Sequence, residues 1–216
     1  MKNERKTTEA EKKRLKRFEE KAAALRAEGY EQTEHTYDIV KANIVSVAIM
    51  LPFAAVIAVP YLLMYGIGRM ESFGIFWVLW IVLMLVETVV HEGIHGLTWG
   101  LLSPDGFSTI EFGFIKEYLT PYCYCGTPLT KGAYMIGSLM PTLILGFLQG
   151  IAAILTGNLL LFALSVIMMF GGGGDFLVDG MLIRYKKKKE NLILMDHPTQ
   201  LGFVAFETDG NDTNIN

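Results

Sequence analysis

Residues 87–100 read ETVVHEGIHGLTWG. In His91-Glu92-Gly93-Ile94-His95 the two histidines stand four apart. On a helix they project from one face, one turn apart, at a separation that a single zinc ion can bridge. Glu92 lies about a hundred degrees round from His91, within reach of a water bound to such a metal. A carboxylate there can take a proton as the water attacks and return it to a leaving amine. Neutral imidazole binds metal without adding charge, which suits a site poor in water.

The run leading in, FGIFWVLWIVLMLV, is apolar enough to sit in lipid. Ionisable groups inside such a span are costly and are usually functional. A catalytic zinc site takes three protein ligands and leaves a fourth position for water, so one more ligand is expected at the same depth. Span two ends near Leu101, and His91 and His95 lie above that end. Span four ends near Ile183, and Asp175 lies above that one. At about 1.5 Å per residue all three are roughly 10–15 Å inside the same boundary. Asp175 is therefore the expected third ligand. Asp179, one turn later on the same face, is the alternative, and Glu87, one turn before His91, also faces this way. Asp175 follows four glycines, Gly171 to Gly174, which permit close backbone approach or an unwound turn.

The elements that must position these groups are membrane spans. The chain has 216 residues, 51% of them hydrophobic, with a mean hydropathy of +0.35. That surplus of apolar residues points to a membrane protein. A net charge of -3 gives no reason to expect a nucleic-acid partner. Four spans are expected, at about 43–65, 73–101, 133–155 and 159–183, with Pro52 and Pro60 bending the first. Of the 19 Lys and Arg, 11 precede the first span and five follow the fourth. Basic residues favour the cytoplasmic side, so both termini are expected there.

Residues 4–28 are rich in helix formers, with Leu15, Phe18, Ala22 and Leu25 as a thin apolar stripe, and read as a solvated helix at the membrane surface. The long connection from Leu102 to Gly132 has strand-like alternation around Phe107–Phe114, which suggests a hairpin or re-entrant loop. Cys123 and Cys125 are too close for a comfortable disulfide and read as small, partly buried residues. His35 and His197 read as surface histidines. The tail holds room for one short strand, Val204-Ala205-Phe206, and the last ten residues read as disordered.

HEGIHGLTWG, YCYCGTPLTKGAYMIGSLMPTLILG, FGGGGDFLVDG and DHPTQLGFV together resemble the membrane-embedded zincin peptidases, a family long catalogued as a domain of unknown function. The resemblance covers about residues 85–205. Its pattern falls on His91, Glu92 and His95, on Pro141, and on Gly174-Asp175. The arrangement is also similar to the site-2 proteases, which pair HExxH with a later aspartate. Leu177-Val178-Asp179-Gly180 matches their Asp-Gly motif, without the Asn-Pro that often precedes it. By this resemblance, the CYCGTPLT segment lines the approach to the site.

The sequence thus predicts an all-α integral membrane protein of about four spans with an extended segment between the second and third. Residues 1–42 form a polar cytoplasmic segment, 43–185 the membrane domain and 186–216 a basic cytoplasmic tail. The expected function is a zinc metalloprotease cutting a peptide bond within or next to the membrane. His91, His95 and Asp175 (alternatively Asp179) would hold Zn2+, with Glu92 as general base. Membrane-protein or peptide substrates and the lipid bilayer are the expected partners, and the plasma membrane of a prokaryote the expected location. A non-catalytic zinc-binding scaffold or transporter component is the alternative.

Overall fold

In the computed structural model the described residues are 9–66, 73–115 and 120–210. The apolar runs fold as helices: α2 (Ile39–Tyr65), α3 (Phe73–Leu102), α4 (Lys131–Pro141) and α5 (Gln149–Thr156), α6 (Leu159–Gly171) and α7 (Gly173–Arg184). A π-helical stretch, Thr142–Leu148, joins α4 to α5, so the two run as one span from Lys131 to Thr156. Three helices are thus long and apolar enough to cross a membrane, or four if α6 and α7 count as one span bent by 44°. Large apolar side chains such as Ile75, Val78, Val82, Leu85 and Val89 stand exposed along α3. A surface of this kind suits surroundings of lipid rather than water. The α2 helix is continuous through Pro52 and Pro60, and Asp38 caps its start by accepting from the Lys41 N–H.

The break between α6 and α7 sits in the glycine run. A Cβ on Gly172 would overlap Thr142 Oγ1, and one on Gly173 would stand 2.8 Å from Ser46 Cβ. The missing side chains let α7 approach both α2 and the π-helical stretch. Gly171 and Gly174 meet nothing within van der Waals range apart from Leu201 at 3.9 Å from the latter.

The protein is not all-α. Between α3 and α4, β2 (Ile110–Ile115) pairs antiparallel with β3 (Thr120–Cys125), with Phe112 opposite Cys123. A second sheet has the order β1-β5-β4, from β1 (Glu31–Tyr37), β4 (Asn191–Asp196) and β5 (Leu201–Thr208). The tail therefore holds two strands, and Val204–Phe206 is the middle of one of them. Glu207 and Thr208, read from sequence as disordered, are buried at the end of β5, whereas residues 211–216 lie outside the described set.

Why β5 was hard to read follows from its burial. Leu194, Phe203 and Ala205 pack on one side with Trp99, Tyr134, Val178 and Leu182 of the helices. Ile193, Met195, Val204 and Phe206 pack on the other side with Phe18 and Ala22 of α1 (Glu9–Ala27). A strand covered on both faces is a continuous apolar run with no alternation. The same packing shows what covers the stripe of the N-terminal helix: Phe18, Ala22 and Leu25 lie on the chain's own sheet, while Leu15 stays exposed. Because β1 precedes α2 and pairs with β5, the segments flanking the bundle meet at one end of it.

Helix α1 also grips the hairpin. Lys21 Nζ is 2.6 Å from Asp105 Oδ2, and Arg17 pairs with Glu111. The Lys21 hydrogen bond holds the Asp105 carboxyl below its ordinary range. The Arg14 guanidinium lies 4.6 Å from the Tyr122 ring centroid and 5.1 Å from that of Tyr124. On its other side the hairpin rests on α3, where a Cβ on Gly96 would come 2.5 Å from the Phe112 ring.

Gly172→Ala is expected to lower stability by about 1–3 kcal/mol, the usual cost of an overpacked contact. Gly171→Ala, facing open space, is expected to change little. Thermal unfolding of both variants in detergent micelles checks the contrast.

Candidate metal centre

His91 and His95 lie on the face of α3 turned toward α4 and α7, and both are buried, at 7% and 4% exposure. The first turn of α7 brings Asp175 to them across the bend at Gly172. Asp175 Oδ2 is 3.4 Å from His91 Nε2 and 3.4 Å from His95 Nε2, and the two Nε2 atoms are 3.2 Å apart. This near-equilateral triangle is the distinctive feature of the molecule. Ligands at about 2.0–2.1 Å from a tetrahedral zinc stand about 3.3 Å from one another, so the three atoms match one face of such a tetrahedron. The three side chains could hold a metal ion. Asp175 keeps 25% of its side chain exposed, so the cluster is open on one side.

The imidazoles are aimed by their surroundings. His95 Nδ1–H donates to the Gly137 carbonyl at 2.9 Å, which leaves the Nε2 lone pair facing the cluster. The Gly137 carbonyl is available for a reason legible in the sequence. In a regular helix it would accept from the N–H four residues on, and that residue is Pro141, which has none. Proline thus frees an acceptor for the histidine, and the π-helical stretch begins at the next residue. Trp99 then packs flat against His95, with ring centroids 5.0 Å apart and planes 15° from parallel. Its indole N–H donates to the Tyr134 carbonyl at 3.1 Å. A Cβ on Gly137 would overlap that indole, so glycine is needed there for the close approach.

Glu92 sits beside the cluster, partly buried, with the backbone of Cys123 on β3 next to its carboxylate. Cys125 N–H donates to Asp196 Oδ2 at 2.9 Å, while Gly126 N–H turns the other way to Thr109. The amides of Cys123 and Cys125 therefore point away from β2, along the free edge of the hairpin. Both thiols are free. Burial pushes the Cys125 thiol up to about 12 and raises Cys123 as well.

The other candidates fall outside the triangle. Asp179 is 3% exposed and faces Ser138, yet no hydrogen bond of ordinary geometry reaches either oxygen among the described residues. Glu87 Oε1 accepts from Gln149 Nε2 at 2.9 Å, one turn away from His91. His35 is partly buried between Tyr185 and Phe203. His197 is a loop residue whose Nδ1 accepts from the Gln200 N–H at 3.0 Å, with only 8% of its side chain exposed. Neither approaches the cluster. Sequence reasoning missed Trp99, Tyr134 and Asp196 as neighbours of the site.

With the histidines, the carboxylate and the glutamate in place, the comparison with known families becomes specific. The model of a family described as "Putative zincin peptidase" matches residues 84–189. Those residues belong to this family. They run from the turn before Glu87, through the cluster and the hairpin, to the basic stretch after α7. No curated protein and no solved structure matches the chain.

Asp175→Ala is expected to abolish stoichiometric zinc binding, whereas Asp179→Ala retains it. Pro141→Ala restores an N–H that competes for the Gly137 carbonyl. Its zinc affinity is expected to fall about 10–100-fold, the range for losing an outer-shell partner. Competition titrations against a chromophoric chelator read all three.

Proposed function

We propose that this protein is a zinc metallopeptidase that cuts peptide bonds within or next to the membrane. The observation that carries this reading is the triangle of His91 Nε2, His95 Nε2 and Asp175 Oδ2, with Glu92 beside it. Three protein ligands leave room for water and substrate, which a structural site closed by four ligands does not. The family description points to the same chemistry.

A zinc ion held there supplies polarisation of a carbonyl and a lowered pKa for a bound water. The chain's own part is the movement of a proton. A Glu92 carboxylate oxygen accepts one proton from the attacking water as its oxygen bonds to the carbonyl carbon. It then delivers that proton to the nitrogen as the C–N bond breaks. His95, locked by Gly137 and Trp99, and His91 keep the site's geometry fixed throughout.

Substrate recognition follows from the free edge of β3. A helix hides its carbonyls, so a membrane-embedded substrate must become extended before attack. An extended chain laid along β3 pairs with the outward backbone of Cys123, whose N–H then binds a substrate carbonyl beside Glu92. The charge distribution supports an orientation with both flanking segments in the cytoplasm and the cluster below the inner boundary. The partners on this reading are a membrane protein or peptide and the bilayer itself.

Glu92→Gln is expected to keep zinc at full stoichiometry and to lose cleavage by at least about 100-fold, the lower range for a general base. Purified protein in micelles with fluorescein-labelled casein, followed with and without a zinc chelator, reads this. Wild-type cleavage by the glutamine variant would end the peptidase reading and leave a non-catalytic zinc protein.

A further inference from the structure

Asp196 is the last residue of β4, outside the helices, and it makes two hydrogen bonds to elements that shape the metal centre. Its Oδ2 accepts from the Cys125 N–H at 2.9 Å, and its Oδ1 accepts from the Tyr134 hydroxyl at 2.6 Å. The first bond holds the free edge of β3, which packs on α3 and passes Glu92 at Cys123, two residues away. The second holds the first turn of α4, where the Tyr134 carbonyl takes the Trp99 indole N–H. Trp99 in turn stacks on His95. One carboxylate thereby reaches both halves of the chemistry, the proton-transfer group through β3 and a metal-binding imidazole through α4.

The carboxylate itself is held from behind. Met195 is fully buried, and Leu194 exchanges backbone hydrogen bonds with Leu129, both at 2.8 Å. After it, the His197 N–H donates to the Gly202 carbonyl at 3.1 Å, closing the turn into β5. Asp196 thus stands on a rigid strand of the three-stranded sheet and projects toward the bundle. A single hydrogen bond to an exposed loop could not set a position, but two short ones from a sheet that α1 covers can.

We propose that Asp196 is a positioning residue of the metallopeptidase centre, acting through Cys125 and Tyr134 to set Glu92 and His95. This deepens the peptidase reading and rests on it. It also assigns a role to the β1-β5-β4 sheet, which is to hold the hairpin edge and the start of α4 in register with the metal-binding face of α3. The Cys125 N–H and the Tyr134 O–H each need an acceptor at a fixed point. Asparagine supplies one of the two: its Oδ1 accepts from Cys125, while its Nδ2 has no lone pair for the tyrosine O–H.

The test compares Asp196→Ala, Asp196→Asn and Tyr134→Phe in the full chain in micelles, using fluorescein-labelled casein, zinc titration and labelling of the thiols by N-ethylmaleimide. Asp196→Ala is expected to retain zinc and to lose kcat about 10–100-fold with KM changed less than about threefold. Labelling of Cys125, 1% exposed in the native fold, should become at least about tenfold faster as the edge opens locally. Asp196→Asn keeps the acceptor for the Cys125 N–H and loses the one for the Tyr134 O–H, so it should match Tyr134→Phe, each losing part of kcat with Cys125 still protected. Wild-type kcat and Cys125 protection in Asp196→Ala would overturn the proposal. So would an asparagine variant as slow as the alanine variant while Tyr134→Phe keeps wild-type kcat, since the carboxylate would then act by its charge. If the alanine variant fails to fold, Tyr134→Phe decides alone, and wild-type kcat there overturns the proposal. The peptidase reading fails separately, through an active Glu92→Gln protein, and the thiol readout stands whichever way that comes out.

Discussion

Two imidazole nitrogens and a carboxylate oxygen converge to within 3.4 Å inside an apolar bundle, and the rest of the architecture answers to that convergence. Lone pairs and a negative charge brought together away from water repel one another and forfeit hydration. A cation held at their centre would turn that repulsion into coordination. Even so, each group must be fixed from outside, because a flexible site would let the ligands drift apart and solvate separately. Pro141 frees a carbonyl for His95, Trp99 covers its ring, and the bend at Gly172 delivers Asp175. These features make sense only together.

A second layer extends the same logic beyond the helices. The β1-β5-β4 sheet lies between α1 and the end of the bundle, with one face packed on each. The hairpin lies between α1 and α3, tied to one by the Arg17–Glu111 ion pair and to the other by aromatic contact. The segments on either side of the apolar helices therefore form a single support for the site. Asp196 is where that support touches the hairpin and α4 at once.

Much of the centre was legible because helical arithmetic is strict. A spacing of four fixes His91 and His95 on one face, and depth counted from the span ends brings Asp175 level with them. Depth alone did not separate Asp175 from Asp179, because one turn along a helix changes height by only about 5 Å. The bend after α6 is what places the earlier aspartate in the triangle, and a run of glycines does not state its angle. The strands β4 and β5 were obscured by burial on both faces, which erases the alternation that marks a strand. The stripe on α1 was legible as apolar, but its packing on the sheet through Phe18, Ala22 and Leu25 was not, since a sequence does not say which surface covers it. Pro141 stood in a quoted motif, but its consequence four residues back became visible only once Gly137 was seen to face His95.

The central claim is that the metal is held by two histidines and one aspartate, with no cysteine. X-ray absorption at the zinc edge of the purified full chain tests it most directly. The account predicts nitrogen and oxygen neighbours alone, at about 2.0–2.2 Å, with the multiple-scattering pattern of two imidazoles. A sulfur neighbour at about 2.3 Å would place Cys123 or Cys125 in the first coordination sphere and contradict it.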